Sequence, residues 1–237
     1  MGLAARNQQH RAPLVEITDA AWLLGGDSGI GKSRLLDELR SVALVDGVVV
    51  VRGQGISERG ASYQVWQEVL QVLTLHVQLS EKELGVLEAI RPGVAALLDR
   101  PYILPQEELD AQAARLHTLR VLREILLRVE RPVLIILEDL HWADAESLTL
   151  LDQISSGVVG HPMLIVASYR IDEAPHLSHA LPWCKRLRLG RLQRHEVEQL
   201  CKSIIGLPSP SPSLLDLLER ETEGNLSSSQ LRATQPR

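Results

Sequence analysis

An α/β fold with a parallel sheet covered on both faces is what this sequence predicts, and three observations predict it. Its β-rich runs are apolar throughout rather than alternating. The segments between them have helical periodicity. A glycine-rich loop stands between the first run and the first helix. Strands buried on both faces read as continuous hydrophobic runs, and parallel neighbours need helical crossovers.

The first run, Ala20 to Gly25, reads as a buried strand ending in glycines. Lys32 to Val45 reads as a helix with Leu35, Leu36 and Leu39 on one face and charges on the other. Val48 to Val51 is a β-branched second strand, after which Arg52-Gly53-Gln54-Gly55 is expected to leave the sheet for a loop. Helical stretches are expected over Tyr63 to Val77, Glu81 to Leu98 and Glu107 to Val129, punctuated by Pro92, Pro101 and Pro105. Pro132 opens Val133 to Leu137, the third strand. Ser147 to Ile154 reads as a helix, Met163 to Ser168 as the fourth strand and Leu187 to Leu189 as a fifth. Further helices are expected over Arg194 to Ile205 and Ser213 to Glu223, around a Pro-Ser segment at 208 to 213. Ser227 to Arg237 is polar and patternless, and no internal repeat is visible. Ligands of such sheets bind beyond the carboxyl ends of the strands.

The 237 residues are 45% hydrophobic and 23% charged, enough for one large domain or a core with a small appendage. Phe is absent, so the core must be built from Leu, Val, Ile and Ala. A net charge of -5 and a pI of about 5.9 argue against a broad phosphate-neutralising surface. No direct nucleic-acid binding is expected. Cys184 and Cys201 lie far apart without a CxxC or Cys/His spacing, and two reduced core thiols are expected. No apolar run approaches the ~20 residues of a membrane span. Met1 to Arg11 has no secretory core, and Arg6 stands where a myristoylation signal after Gly2 wants Ser or Thr. The expected location is the cytoplasm, with no membrane partner.

Gly26-Asp27-Ser28-Gly29-Ile30-Gly31-Lys32-Ser33 fits G-x-x-x-x-G-K-[ST] at every defined position. A phosphate chain must lie against several backbone N–H groups at once, which side chains at 26, 29 and 31 would obstruct. The loop opens a helix whose free N–H groups and dipole attract anions. Lys32 is expected on the β- and γ-phosphates and the Ser33 hydroxyl on Mg²⁺. The motif sits between an apolar strand and an amphipathic helix, the context it requires. The fold expected is therefore a P-loop NTPase three-layer sandwich with a parallel five-stranded sheet, binding ATP and Mg²⁺.

Val133-Leu134-Ile135-Ile136-Leu137-Glu138-Asp139 is an apolar strand ending in two carboxylates. Such a strand must deliver an acid to the metal shell and can deliver another to polarise an attacking water. Neighbours on a strand point to opposite faces, so the two acids divide the work unless the strand has already ended. By position Glu138 would face the metal shell and Asp139 the water. Glu is longer than the Asp usual at the first position, which leaves the division open.

Leu137-Glu138-Asp139-Leu140-His141-Trp142-Ala143-Asp144 resembles the extended acidic motif of STAND-class P-loop ATPases, AAA-related regulatory ATPases. These occur in large bacterial LuxR-type regulators and in kinase- or cyclase-linked proteins. Gly29-Ile30-Gly31-Lys32-Ser33-Arg34-Leu35 resembles their phosphate loop and helix start. Arg52-Gly53-Gln54 followed by Tyr63 and Trp66 resembles their second strand and next helix. Ala167-Ser168-Tyr169-Arg170 resembles their sensor strand. The resemblance covers roughly residues 20 to 225. It implies that residues 26 to 34 hold the nucleotide and that Arg170 reports on the γ-phosphate, a task that suits an always-charged fork. The competing reading of Arg170 is a surface ion pair. His141 and Trp142 are expected to pack and hydrogen-bond rather than ligate, and Asp144 to cap the helix after it.

Two elements of that family's pattern have no match. One is a Gly-Arg-Glu ahead of the first strand. The other is Gly-Asn-Pro, where this chain has Gly224-Asn225-Leu226. The expected organisation is a leader over 1–18, an ATPase core over 19–192, a truncated helical subdomain over 193–226 and a disordered tail over 227–237, as in a fragment. The function implied is a regulatory ATPase switch with slow hydrolysis, in signalling or transcriptional control. Its expected partners are another copy of the domain, or a kinase, DNA-binding or repeat domain encoded nearby. The alternatives are a non-catalytic truncated interaction module and a P-loop small-molecule kinase. For the kinase, Lys185, Arg186, Arg188, Arg191 and Arg194 could stand as a basic lid, although the first three read as charges flanking the last strand.

Overall fold

Strand burial in this chain follows position in the sheet. The computed structural model describes residues 20–57, 62–104 and 110–190. Five parallel strands, β1 (Ala20–Gly26), β2 (Val49–Gln54), β3 (Val133–Glu138), β4 (Met163–Arg170) and β5 (Lys185–Arg188), lie in the order β2-β3-β4-β1-β5. β3 has a neighbour on each side and is buried at all its positions. β5 is an edge, and all its residues are exposed. β2, the other edge, alternates toward its end. This is the pattern of a doubly covered sheet whose rims stay polar.

Among the described residues seven helices connect the strands: α1 (Lys32–Val45), α2 (Gln67–Leu73), α3 (Glu81–Ile90), α4 (Val94–Leu98), α5 (Ala111–Leu127), α6 (Ala145–Ser155) and α7 (Leu177–Ala180). On one face, Leu36 and Ala43 of α1 pack on Leu24 of β1, Leu134 and Ile136 of β3 and Leu164 of β4. On the other, Leu23, Val51, Ile135 and Ile165 meet a larger core that includes Trp66, Val69, Leu122, Ile125, Leu150 and Ile154. Trp66 is fully buried, and its indole N–H donates to the Ser147 carbonyl at 3.0 Å, as a buried indole requires. Leu, Val, Ile and Ala do build most of this core.

Several elements differ from the sequence reading. β2 runs to Gln54, so Arg52-Gly53-Gln54 does not leave the sheet. These residues pair with Ile136, Leu137 and Glu138 of β3, and an edge strand tolerates their polarity. Gly53 is required there because a Cβ would stand 1.8 Å from the Val65 carbonyl oxygen. The stretch 63 to 77 is not one helix but a 3-10 turn (Gln64–Trp66), α2 and a second 3-10 turn (Thr74–His76). The stretch 81 to 98 breaks at Pro92-Gly93 into α3 and α4. Gly93 is left-handed there (φ 97°), and Glu88 accepts from the N–H groups of Gly93 and Ala95. α3 starts at a reciprocal cap between Ser80 and Glu83, and α5 at Asp110, which accepts from Ala113 N. β4 runs to Arg170, two residues past the apolar stretch read as the strand and as far as the resemblance to the sensor strand implies. Lys185, Arg186 and Arg188 lie within β5 rather than beside it, since an exposed edge strand leaves their charges in water.

Cys184 is a free buried thiol. Burial pushes its pKa up, and Ser155 Oγ stands 3.3 Å away. Among the described residues no helix is long and apolar enough to cross a membrane. The expected leader, the helices over 194–205 and 213–223, the tail, Cys201, Arg191, Arg194, Glu107 and the Gly224-Asn225-Leu226 segment lie outside the described residues.

Candidate functional site

Between the end of β1 and the start of α1 the chain makes two left-handed residues, Gly29 (φ 72°) and Gly31 (φ 102°). Only glycine takes such values at little cost. Ile30 between them is buried and ties the loop to the sheet. Gly26 has a packing reason: a Cβ would meet Ile30 Cγ2 at 2.9 Å and the Leu189 carbonyl oxygen at 3.0 Å. Asp27, Ser28, Ser33 and Arg34 are exposed around the loop.

Lys32 is buried, and its ammonium donates to the carbonyl oxygens of Gly26 at 2.9 Å and Asp27 at 2.7 Å. Burial pushes its pKa below the ordinary 10.5, and the Arg170 charge adds to that. Asp139, Asp172 and Asp27 pull the other way. A buried ammonium held only by neutral carbonyls has no opposite charge beside it, and it gains one when it trades them for the oxygens of an anion. The loop and its lysine therefore fit a polyphosphate.

The two carboxylates part company for a reason other than strand alternation. β3 ends at Glu138, and Asp139 is already left-handed (φ 55°). Glu138 is buried on the α1 side, in step with Leu134 and Ile136. Arg52 reaches it from β2 with both Nε and Nη2 on Oε1, while Nη1 donates to Asp37 Oδ1 of α1 at 3.0 Å. Asp139 accepts from Gln54 Nε2 at 3.2 Å, and its own N–H points to Ser168 Oγ at 3.4 Å.

Arg170 closes β4 directly beside Gly26 in the sheet register. Its guanidinium donates to Glu173 and lies 5.6 Å from the centroid of the Trp142 ring. The His141 side chain is 1% exposed. Neither ring nitrogen has a hydrogen bond, although Nε2 is 3.4 Å from Glu173 Oε2 and the ring tilts against Trp142 at 4.6 Å. The expected packing of His141 is present and the expected hydrogen bonding is not. Burial lowers its pKa below 6.5, with Glu173 opposing. Asp144 does cap α6, accepting from Ser147 N at 2.8 Å, and it also accepts from the N–H groups of Tyr63 and Gln64.

Lys32, Asp139 and Arg170 thus meet at the carboxyl ends of β1, β3 and β4, while Glu138 turns away toward α1. The sequence reading assigned no role to Arg52, Gln54 or Glu173. The spacing of 52 and 54 would have placed both on one strand face had the strand been extended. Among the described residues no three His, Cys, Asp or Glu side chains cluster as a metal site. A hard divalent ion would draw on the Ser33 hydroxyl and the Glu138 carboxylate together with nucleotide oxygens and water, the oxygen donors magnesium takes.

The family model described as AAA ATPase domain matches residues 15–166. The chain belongs to the AAA ATPase domain family. A nucleotide-binding ATPase module is what that membership makes it, and its match takes in the phosphate loop and both carboxylates. No curated protein matches the chain. Among solved structures, Cdc6p from Pyrobaculum aerophilum is similar at 13% identity and a TM-score of 0.45, over 83% of this chain and 47% of that one. Orc1 from Aeropyrum pernix, solved in complex with DNA, is similar at 15% identity and a TM-score of 0.44, over 86% and 49%. The FIGL-1 AAA domain in complex with ADP is similar at 14% identity and a TM-score of 0.39, over 87% and 56%. The chain spans about half the length of these solved chains.

Proposed function

We propose that this AAA ATPase module is a regulatory switch of the STAND class that binds ATP with magnesium, hydrolyses it slowly and passes its nucleotide state to a partner. The observation that carries the reading is the meeting of Lys32, Asp139 and Arg170 at the carboxyl ends of the central strands, where Arg170 and Asp139 both act on the Lys32 charge.

Each residue has a task that its setting supports. The loop amides over residues 26 to 34 cradle the phosphates, and Lys32 trades the Gly26 and Asp27 carbonyls for phosphate oxygens. Ser33 and Glu138 serve the metal, which when bound neutralises the charge of the β- and γ-phosphates. Asp139, held by Gln54, orients a water and takes its proton as the water oxygen bonds to the γ-phosphorus and the bond to the β-phosphate oxygen breaks. Arg170 leaves Glu173 for the γ-phosphate, so its position differs between ATP and ADP. Such a difference is what a partner must read, because a ligand shifts an equilibrium only through unequal affinity for two states. A second copy, or a kinase, DNA-binding or repeat domain in signalling or transcriptional control, is the proposed reader, in the cytoplasm.

Calorimetry of the purified chain with ATP and ADP, each with magnesium, tests the reading. Binding is expected for both nucleotides and is expected to be lost in Lys32→Ala. A folded wild-type chain that binds neither nucleotide sinks it.

A further inference from the structure

We infer that Arg52 is a counter-ion that competes with the metal for Glu138 and thereby sets how strongly nucleotide binding depends on magnesium. The inference rests on the reading above that Glu138 serves the metal.

Glu138 is nearly buried, its side chain 5% exposed, and a buried carboxylate needs a cation or donors close by. The guanidinium of Arg52 supplies one, spending two of its nitrogens on the single oxygen Oε1. Its third nitrogen is tied to Asp37, one helical turn beyond Ser33 on the same face of α1. Arg52 therefore spans the gap between the end of β3 and the stripe of α1 that carries the candidate metal hydroxyl. Its register in β2, opposite Ile136 and two residues before Gln54, aims it at the α1 side of the sheet, where Glu138 also points. Two cations cannot share that carboxylate oxygen without repulsion. A metal shell at Glu138, even one reached through the other oxygen, would set a second cation against the guanidinium and weaken its pair with Oε1, while Asp37 keeps the guanidinium nearby. In the wild-type chain part of the gain from magnesium is then offset by the pair it weakens.

The measurement is the ratio of ATP dissociation constants in excess EDTA and in excess magnesium, by calorimetry on the full chain. The ratio should rise about fivefold or more in Arg52→Gln, where Glu138 is left without its cation, and should fall toward unity in Glu138→Gln. An unchanged ratio in Arg52→Gln with a reduced one in Glu138→Gln overturns the inference and leaves the Glu138 reading intact. An unchanged ratio in both variants removes the metal role of Glu138 and the inference with it. Circular dichroism checks folding. If Arg52→Gln does not fold, Arg52→Lys decides, since it keeps the charge without the fork: a smaller rise supports the competition and no rise overturns it.

Discussion

The Arg170 guanidinium lies over the indole of Trp142, 5.6 Å from the ring centroid, while its donor Nη1 is held by Glu173. The Trp142 contact ties the end of β4 to the turn after Asp139, and Glu173, just past β4, stands 3.4 Å from His141 Nε2 in the same turn. If Arg170 must leave them to meet a γ-phosphate, its removal should affect ATP and spare ADP. Arg170→Ala is expected to weaken ATP binding roughly tenfold, the scale of a typical coupling energy, and ADP binding by much less. Calorimetry with both nucleotides reads the difference, and equal losses for the two would refute a sensor role.

Asp139 and Glu138 should separate by phenotype. Asp139→Asn retains the hydrogen-bonding shape beside Gln54 but cannot take a proton. Phosphate release is expected to fall by about a hundredfold or more, the usual worth of a general base, with ATP affinity nearly unchanged. A phosphate-release assay under saturating ATP checks this, and wild-type turnover in Asp139→Asn would move the base elsewhere.

Asp144 binds two parts of the chain at once. Its carboxylate accepts from Ser147 N and Oγ within the α6 cap and from the N–H groups of Tyr63 and Gln64 in the 3-10 turn. Asp144→Ala loses the cap and strands the two turn amides, so a loss of about 3 kcal/mol is expected. Urea unfolding measures it. A loss of a few tenths of a kcal/mol would mean that the turn finds other partners.

His141 predicts an acid-side dependence of stability. Burial holds its folded pKa below the ordinary 6.5, so in the interval between those two values the unfolded chain binds more protons than the folded one. Stability should therefore decline as the pH drops from about 6.5 toward the folded value and lose nothing further from this group below it. Chemical unfolding from pH 8 to pH 5, compared with His141→Phe, isolates the effect. Parallel profiles for the two proteins would show that the ring does not titrate on folding.

How much was legible beforehand depended on whether a residue's role is local. Each position of the phosphate loop answers to its own backbone, so Gly29, Gly31 and Lys32 could be read directly. The Asp144 cap could be read from its place before Ala145. The residue pattern alone puts Arg52 in a loop, because polar residues at a strand end look like an exit; the resemblance puts it at a strand, and pairing with β3 keeps it in the sheet. Glu173 gives no signal because its partners, Arg170 and the distant His141, come to it only through the turn after β4. Where one helix is expected over 63 to 77 the chain opens on a left-handed Tyr63 and a 3-10 turn, and Asp144, some eighty residues away, accepts from the first two amides there, a contact that no local pattern announces.

The sequence by itself determined the parallel α/β architecture, the phosphate loop and the pair of acids, because apolar runs and glycine positions act through burial and backbone torsion alone. Only the tertiary structure decided which way those acids face and what holds them. Glu138 went to Arg52 across two strands and Asp139 to Gln54, and contacts between residues more than eighty positions apart leave no trace in local pattern.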